Sequence, residues 1–265
     1  MWSSLKMAII RCIYVQLFCV CLLLPSAVYA DYSINMTKGV TPISRDIYDL
    51  HMTIFWICVA IGAVVFAVMF YAIIFHRKSQ GAIAAQFHEN TCVEIIWTII
   101  PFIILVIMAI PATKVLVNME NVTDSELTIK ITGYTWRWHY EYVGENIQFM
   151  SKLATTYEQI NNRDTKGQYY LLEVDKPLVL PINKKIRLLT TSNDVIHSWW
   201  VADLGIKKDA IPGFINETWV LITIPGVYRG QCAELCGARH GFMPIVVEAK
   251  TEAEYLDWVQ QQQKK

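Results

Sequence analysis

The chain has 265 residues, 23 basic against 23 acidic, with 54% hydrophobic and only 17% charged residues. That charged share lies below the roughly 25% of ordinary soluble domains, and with a mean hydropathy of +0.32 it excludes a disordered chain. Zero net charge gives no sign of a nucleic-acid partner.

The apolar surplus is concentrated in three stretches that lack Asp, Glu, Lys and Arg: residues 12–30, 52–75 and 95–113. The first follows Lys6 and Arg11 and ends in small residues at Ala30, the pattern of a secretory signal peptide over residues 1–30. An uncleaved membrane helix is the alternative. Cys19 and Cys21 lack a small-residue box before them, so no lipidation is expected. Residues 31–50 then form an extracytoplasmic N-terminal segment.

The second stretch predicts a transmembrane helix over 51–75 and the third another over 95–117, each near the roughly 20 residues that cross a bilayer. Pro101 and Pro111 are tolerable in a membrane helix. Arg77 and Lys78 mark the loop 76–94 as cytoplasmic by the positive-inside rule. The remainder, 118–265, is then extracytoplasmic, which puts a multi-pass chain in a bacterial inner membrane with its large domain on the periplasmic side.

From residue 127 the pattern changes to short β-rich runs: 127–132, 179–182, 186–191, 218–223 and 245–248. Lys176-Pro177, Pro212-Gly213 and Pro225-Gly226 punctuate them. Without intervening helical periodicity, residues 118–250 predict a Greek-key sandwich or barrel. Tyr255, Leu256 and Val259 give the tail, 251–265, a helical spacing from Glu252 to Gln263. No internal repeat is visible.

Of seven cysteines, only Cys232 and Cys236 fall in the outer domain. A disulfide would close a very small loop with limited entropic benefit. Their neighbours suggest a metal instead: Cys232, Cys236, His240 and Met243 lie in one predicted loop, and His197 stands beside an upstream strand end. Thiolate, thioether and imidazole together favour copper. A zinc site of Cys232, Cys236, His240 and His197 is an alternative that leaves Met243 unused. A mononuclear blue-copper site leaves one cysteine unused. Two coppers bridged by both thiolates use every donor.

These residues resemble subunit II of the haem-copper cytochrome c oxidases, whose dinuclear copper A loop reads Cys-x-Glu-x-Cys-x3-His-x2-Met with an upstream His-Ser-Trp. Here they are Cys232, Glu234, Cys236, His240, Met243 and His197-Ser198-Trp199. Supporting segments are 94–101, 172–175, 194–199, 204–213 and 242–246. The resemblance implies a two-helix transmembrane hairpin carrying an all-β, cupredoxin-like domain. Cys232 and Cys236 would bridge the coppers, His197, His240 and Met243 would ligate them, and Glu234 would contribute its backbone carbonyl. The Glu234 side chain would bind magnesium at the border with subunit I. Glu94 would stand near the mouth of a proton path, although by itself it reads as a helix N-terminal acid. Trp136 would take electrons from cytochrome c, with Glu141, Asp175 and Asp194 as docking acids. The implied partners are subunit I, other oxidase subunits, cytochrome c and the lipid bilayer. The implied activity is cytochrome-c oxidation coupled to oxygen reduction and proton translocation.

The chain departs from many relatives at Tyr134-Thr135, at Arg137-Trp138-His139 and at Phe214, and Arg137 adds positive charge beside Trp136. A quinol-oxidising relative would lack the copper ligands. A structural or zinc-stapled domain is a third reading.

Overall fold

The computed structural model describes residues 35–86 and 88–264. The expected signal peptide lies outside them. Two long helices come first, α1 (Pro42–Phe75) and α2 (Thr91–Glu120). At 34 and 30 residues they extend about 51 and 45 Å, more than the roughly 30 Å of a bilayer core. Both run past the apolar spans because capping, not hydropathy, sets where they start. Thr41 and Ser44 form a reciprocal capping box, with Pro42 already fixed in a helical φ. Asn90 caps α2 by accepting the Val93 N–H, and Glu94 accepts the Asn90 N–H at 3.3 Å. The apolar side chains along both helices are exposed on this chain, as at Val64 and Ile110.

Ten strands follow: β1 (Leu127–Tyr134), β2 (Arg137–Tyr142), β3 (Ile147–Ser151), β4 (Leu178–Pro181), β5 (Ile186–Ser192), β6 (His197–Val201), β7 (Ile206–Ala210), β8 (Asn216–Val220), β9 (Gly226–Cys232) and β10 (Pro244–Lys250). A one-turn helix α3 (Tyr157–Ile160) lies between β3 and β4, and α4 (Glu252–Gln263) closes the chain. The strands form two five-stranded sheets, ordered β3-β2-β1-β5-β8 and β4-β10-β9-β6-β7. The β1–β5 and β4–β10 pairs are parallel and the others antiparallel.

Period-two alternation puts one face of each sheet into a shared core. In β5, Ile186, Leu188, Thr190 and Ser192 are buried while the residues between them are half-buried. Ile129, Ile131, Trp138, Tyr140, Trp199 and Val247 join them with 0% exposure, so this domain has a full apolar core.

Both helices are tied to the sandwich at one end. Thr41 donates to the Leu204 carbonyl at 2.9 Å, and Arg45 donates to Thr223 at 2.8 Å. At the end of α2, Trp219 donates to the Asn118 carbonyl at 2.8 Å and Lys208 pairs with Glu120 at 2.9 Å. The α1 start and the α2 end therefore meet the β domain, as a hairpin requires.

Candidate metal centre

His197 opens β6 and Cys232 closes β9, and the two strands are antiparallel neighbours with Trp199 opposite Cys232. The chain loops from Cys232 to Met243 and re-enters the sheet at Pro244, opposite Gln231. The loop is closed at its base, where the Cys232 N–H donates to the Met243 carbonyl at 3.2 Å and the Ala233 N–H to the Ser198 carbonyl at 3.0 Å. Within it, Gly237 takes a φ of +108°, a region that favours glycine, and a 3-10 turn runs over His240–Phe242.

The side chains converge. The two thiol sulfurs lie 3.7 Å apart, well beyond the roughly 2.05 Å of a disulfide. His197 Nδ1 is 3.9 Å from Cys232 Sγ, and His240 Nδ1 is 3.5 Å from Cys236 Sγ. Met243 Sδ lies 3.6 Å from Cys236 Sγ, and the Glu234 carbonyl oxygen 3.3 Å from Cys232 Sγ. Donor atoms of His197, Cys232 and Cys236 all fall within 4.8 Å of one another. His197, Cys232, Cys236 and Met243 are buried.

A neighbour orients one imidazole. Asp194 accepts from His197 Nε2 at 2.8 Å, from the Thr135 N–H and hydroxyl at 2.7 and 2.9 Å, and from the Val195 N–H at 2.7 Å. An ionised carboxylate only accepts, so the His197 proton sits on Nε2 and Nδ1 presents a lone pair to the sulfurs. Burial opposes ionisation of Asp194, but these hydrogen bonds outweigh it and bring its pKa down to about 2. Burial likewise disfavours the charged form of His197, yet Cys232 and Asp194 raise its pKa overall. The His197 ring leaves no room at Gly133, where an added Cβ would lie 2.7 Å from His197 Cδ2.

The thiols behave as a pair. Burial raises the pKa of both, but hydrogen bonding to His197 and to the backbone at Ser198 and Glu234 draws Cys232 down overall. Cys236 is pushed up, by burial first and then by the neighbouring Cys232 charge. Two negative sulfurs this close need a cation to hold them. Five side-chain donors and a carbonyl exceed the four ligands of a structural zinc site, and the sulfur-rich set suits copper.

The other expected residues are placed as follows. Trp136, half-buried, donates from Nε1 to the Cys236 carbonyl at 3.1 Å. The Glu234 side chain is exposed and forms no ion pair among the described residues. Glu94 is engaged in the α2 cap. Glu141 pairs with Lys130 at 3.6 Å, and Asp175 accepts the Lys152 N–H at 2.9 Å. Asp194 faces His197, an orientation that its position three residues earlier does not signal.

The family model described as cytochrome c oxidase subunit II, periplasmic domain, matches residues 127–250, and the one described as cytochrome c oxidase subunit II, transmembrane domain, matches residues 29–115. The chain is 40% identical over 230 residues to a probable cytochrome c oxidase subunit 2 of Rickettsia prowazekii, covering 86% of this chain and 72% of that one. It is 40% identical over 233 residues to cytochrome c oxidase subunit 2 of Zea mays, covering 87% and 90%. Among solved structures it is similar to the periplasmic domain of subunit II of cytochrome oxidase from Bradyrhizobium japonicum, with 40% identity, a TM-score of 0.48, and coverage of 54% of this chain and 97% of that one.

Proposed function

The chain belongs to the cytochrome c oxidase subunit II family, and on that premise we propose that it accepts electrons from a cytochrome c at a dinuclear copper centre and passes them to subunit I. The convergence of His197 from β6 with Cys232, Cys236, His240, Met243 and the Glu234 carbonyl from one loop carries this reading. Two copper ions in that set would supply a one-electron store whose charge is shared across both sulfurs.

The residues have distinct tasks. Cys232 and Cys236 would supply thiolates to the copper, and His197 and His240 would each supply Nδ1. Met243 and the Glu234 carbonyl complete the set. Burial keeps water from the sulfurs, and the closed loop base limits movement of the donors when their charge changes. Trp136 touches the backbone of a ligand cysteine, so its indole is the route by which electrons arrive. The exposed Glu234 carboxylate would be this chain's contribution to a magnesium site at the subunit I border. Glu94 would have to leave its cap to take part in a proton path. The outer surface carries the copper domain, and Arg77 and Lys78 face the cytoplasm, in a bacterial inner membrane.

Metal analysis of the full chain purified in detergent tests the centre. About two coppers per chain, with the near-infrared band of a mixed-valence pair, are expected. One zinc, or a disulfide without metal, would sink it.

Asp194 is proposed as a positioning residue for His197. Asp194→Asn is expected to keep the fold but weaken copper affinity about 10–100-fold and shift the near-infrared band. Unchanged affinity and an unchanged band would reduce Asp194 to a loop brace.

A further inference from the structure

Glycine at position 133 breaks the pattern of β1. Alternation puts Ile129, Ile131 and residue 133 on the inward face, and both isoleucines are fully buried. Another large apolar residue is expected there. Glycine weakens a strand interior, and Gly133 is not among the residues of positive φ, so the backbone does not require it. The reason is space. The three atoms nearest to an added Cβ all belong to His197: Cδ2 at 2.7 Å, Cγ at 3.0 Å and Cβ at 3.2 Å. The imidazole occupies the room that a side chain on β1 would fill.

Neither side of this contact yields freely. β1 is an inner strand, with Gly133 opposite Trp138 on β2 and opposite Ser192 on β5. The Trp138 ring meets the imidazole edge-to-face, with 5.9 Å between centroids. The Gly133 carbonyl accepts the Asn193 N–H at 3.1 Å and the Ser192 hydroxyl at 3.3 Å. Those two residues lead directly into Asp194, which accepts from His197 Nε2 at 2.8 Å. A strand that moved away from the ring would carry the Asp194 clamp with it. A ring that moved away from the strand would stretch its bond to Asp194. Either response changes the direction in which Nδ1 faces Cys232 Sγ.

We propose that Gly133 is a positioning residue for His197, and that its missing side chain fixes the depth and plane of the imidazole. Asp194 sets which nitrogen carries the proton, and Gly133 sets where the ring stands. The consequence for copper rests on His197 as a ligand of the proposed centre. Outer partners that orient a ligating histidine are commonly worth 10–100-fold in metal affinity.

The test compares Gly133→Ala in two backgrounds of the full chain in detergent. In the metal-free chain with His197 present, the added methyl overpacks the site, and the melting temperature is expected to fall by roughly 3–8 °C. In the His197→Ala background the ring is gone, and the same change should shift it by no more than about 2 °C. A chain that folds only when both changes are combined counts as the same result. An equal loss in the two backgrounds, or failure to fold in both, overturns the proposal. Copper then reads the effect on the site. Gly133→Ala is expected to bind copper about 10–100-fold more weakly and to displace the near-infrared band. Unaltered affinity and an unaltered band also overturn it, because a purely structural glycine would leave both in place once the chain has folded. Absence of copper from the unaltered chain would instead count against the centre itself, and the metal-free comparison still decides the role of Gly133.

Discussion

Replacing both Cys232 and Cys236 with serine is expected to reduce the copper content of the full chain from about two ions to none and to abolish the near-infrared band. A serine hydroxyl stays protonated at neutral pH and is a hard donor, so neither bridge position would hold a soft metal. The single Cys236→Ser variant should also lose the band, because one sulfur cannot bridge symmetrically. Its residual set of His197, Cys232, His240 and Met243 would hold at most about one copper. The fold should survive, since the two cysteines are small contributors to a core built on Trp138, Tyr140, Trp199 and the Ile and Leu residues around them. Thermal stability should nevertheless fall relative to the loaded chain, because a ligand that binds only the native state at about a thousandfold excess over its Kd contributes about 4 kcal/mol. Circular dichroism, metal analysis and absorption on the same samples check the three parts. A Cys236→Ser chain that retains two coppers and the band would exclude bridging by both thiolates.

The proposed copper ligands were legible because each is chemically rare and four of them lie within one loop. His197 was harder, since it comes from a different strand and is brought in only by the β6–β9 pairing. Five strands were legible from β-branched or alternating runs. Three others lacked that signal: β7 is mostly Lys and Asp, β9 carries two glycines, and β3 mixes polar residues with Phe149 and Met150. The helices were legible over their bilayer-crossing spans but not at full length, because Arg45, Asp46 and Asp49 interrupt the hydropathy of α1 and not its backbone. Asp194 shows the deeper limit. A carboxylate three residues before a histidine reads as one more surface acid, and only the fold turns it onto the ring.

Trp136→Ala is expected to leave the copper content unchanged while slowing electron uptake from a cytochrome c about a hundredfold, equivalent to about 2.7 kcal/mol in the barrier. The indole is half-buried between solvent and the metal loop, and its N–H reaches the carbonyl of Cys236 at 3.1 Å. Removing the ring takes away both the conjugated surface a donor would touch and the direct bond to a ligand's backbone. It also leaves the Cys236 carbonyl without that donor, at a cost of about 1 kcal/mol. Trp136→Phe separates the two effects, since the ring remains and only the N–H is lost. An intermediate rate for Phe assigns part of the coupling to the hydrogen bond. A rate equal to that of Ala assigns all of it there, and a rate equal to the unaltered chain assigns it to the ring surface. Rapid mixing with reduced cytochrome c, normalised to reduction of the same sample by a small reductant that bypasses docking, reads each case. If Trp136→Ala accepted electrons as fast as the unaltered chain with its copper intact, the route would have to reach the sulfurs through another part of the loop, and the indole contact to Cys236 would serve only to hold the loop in place.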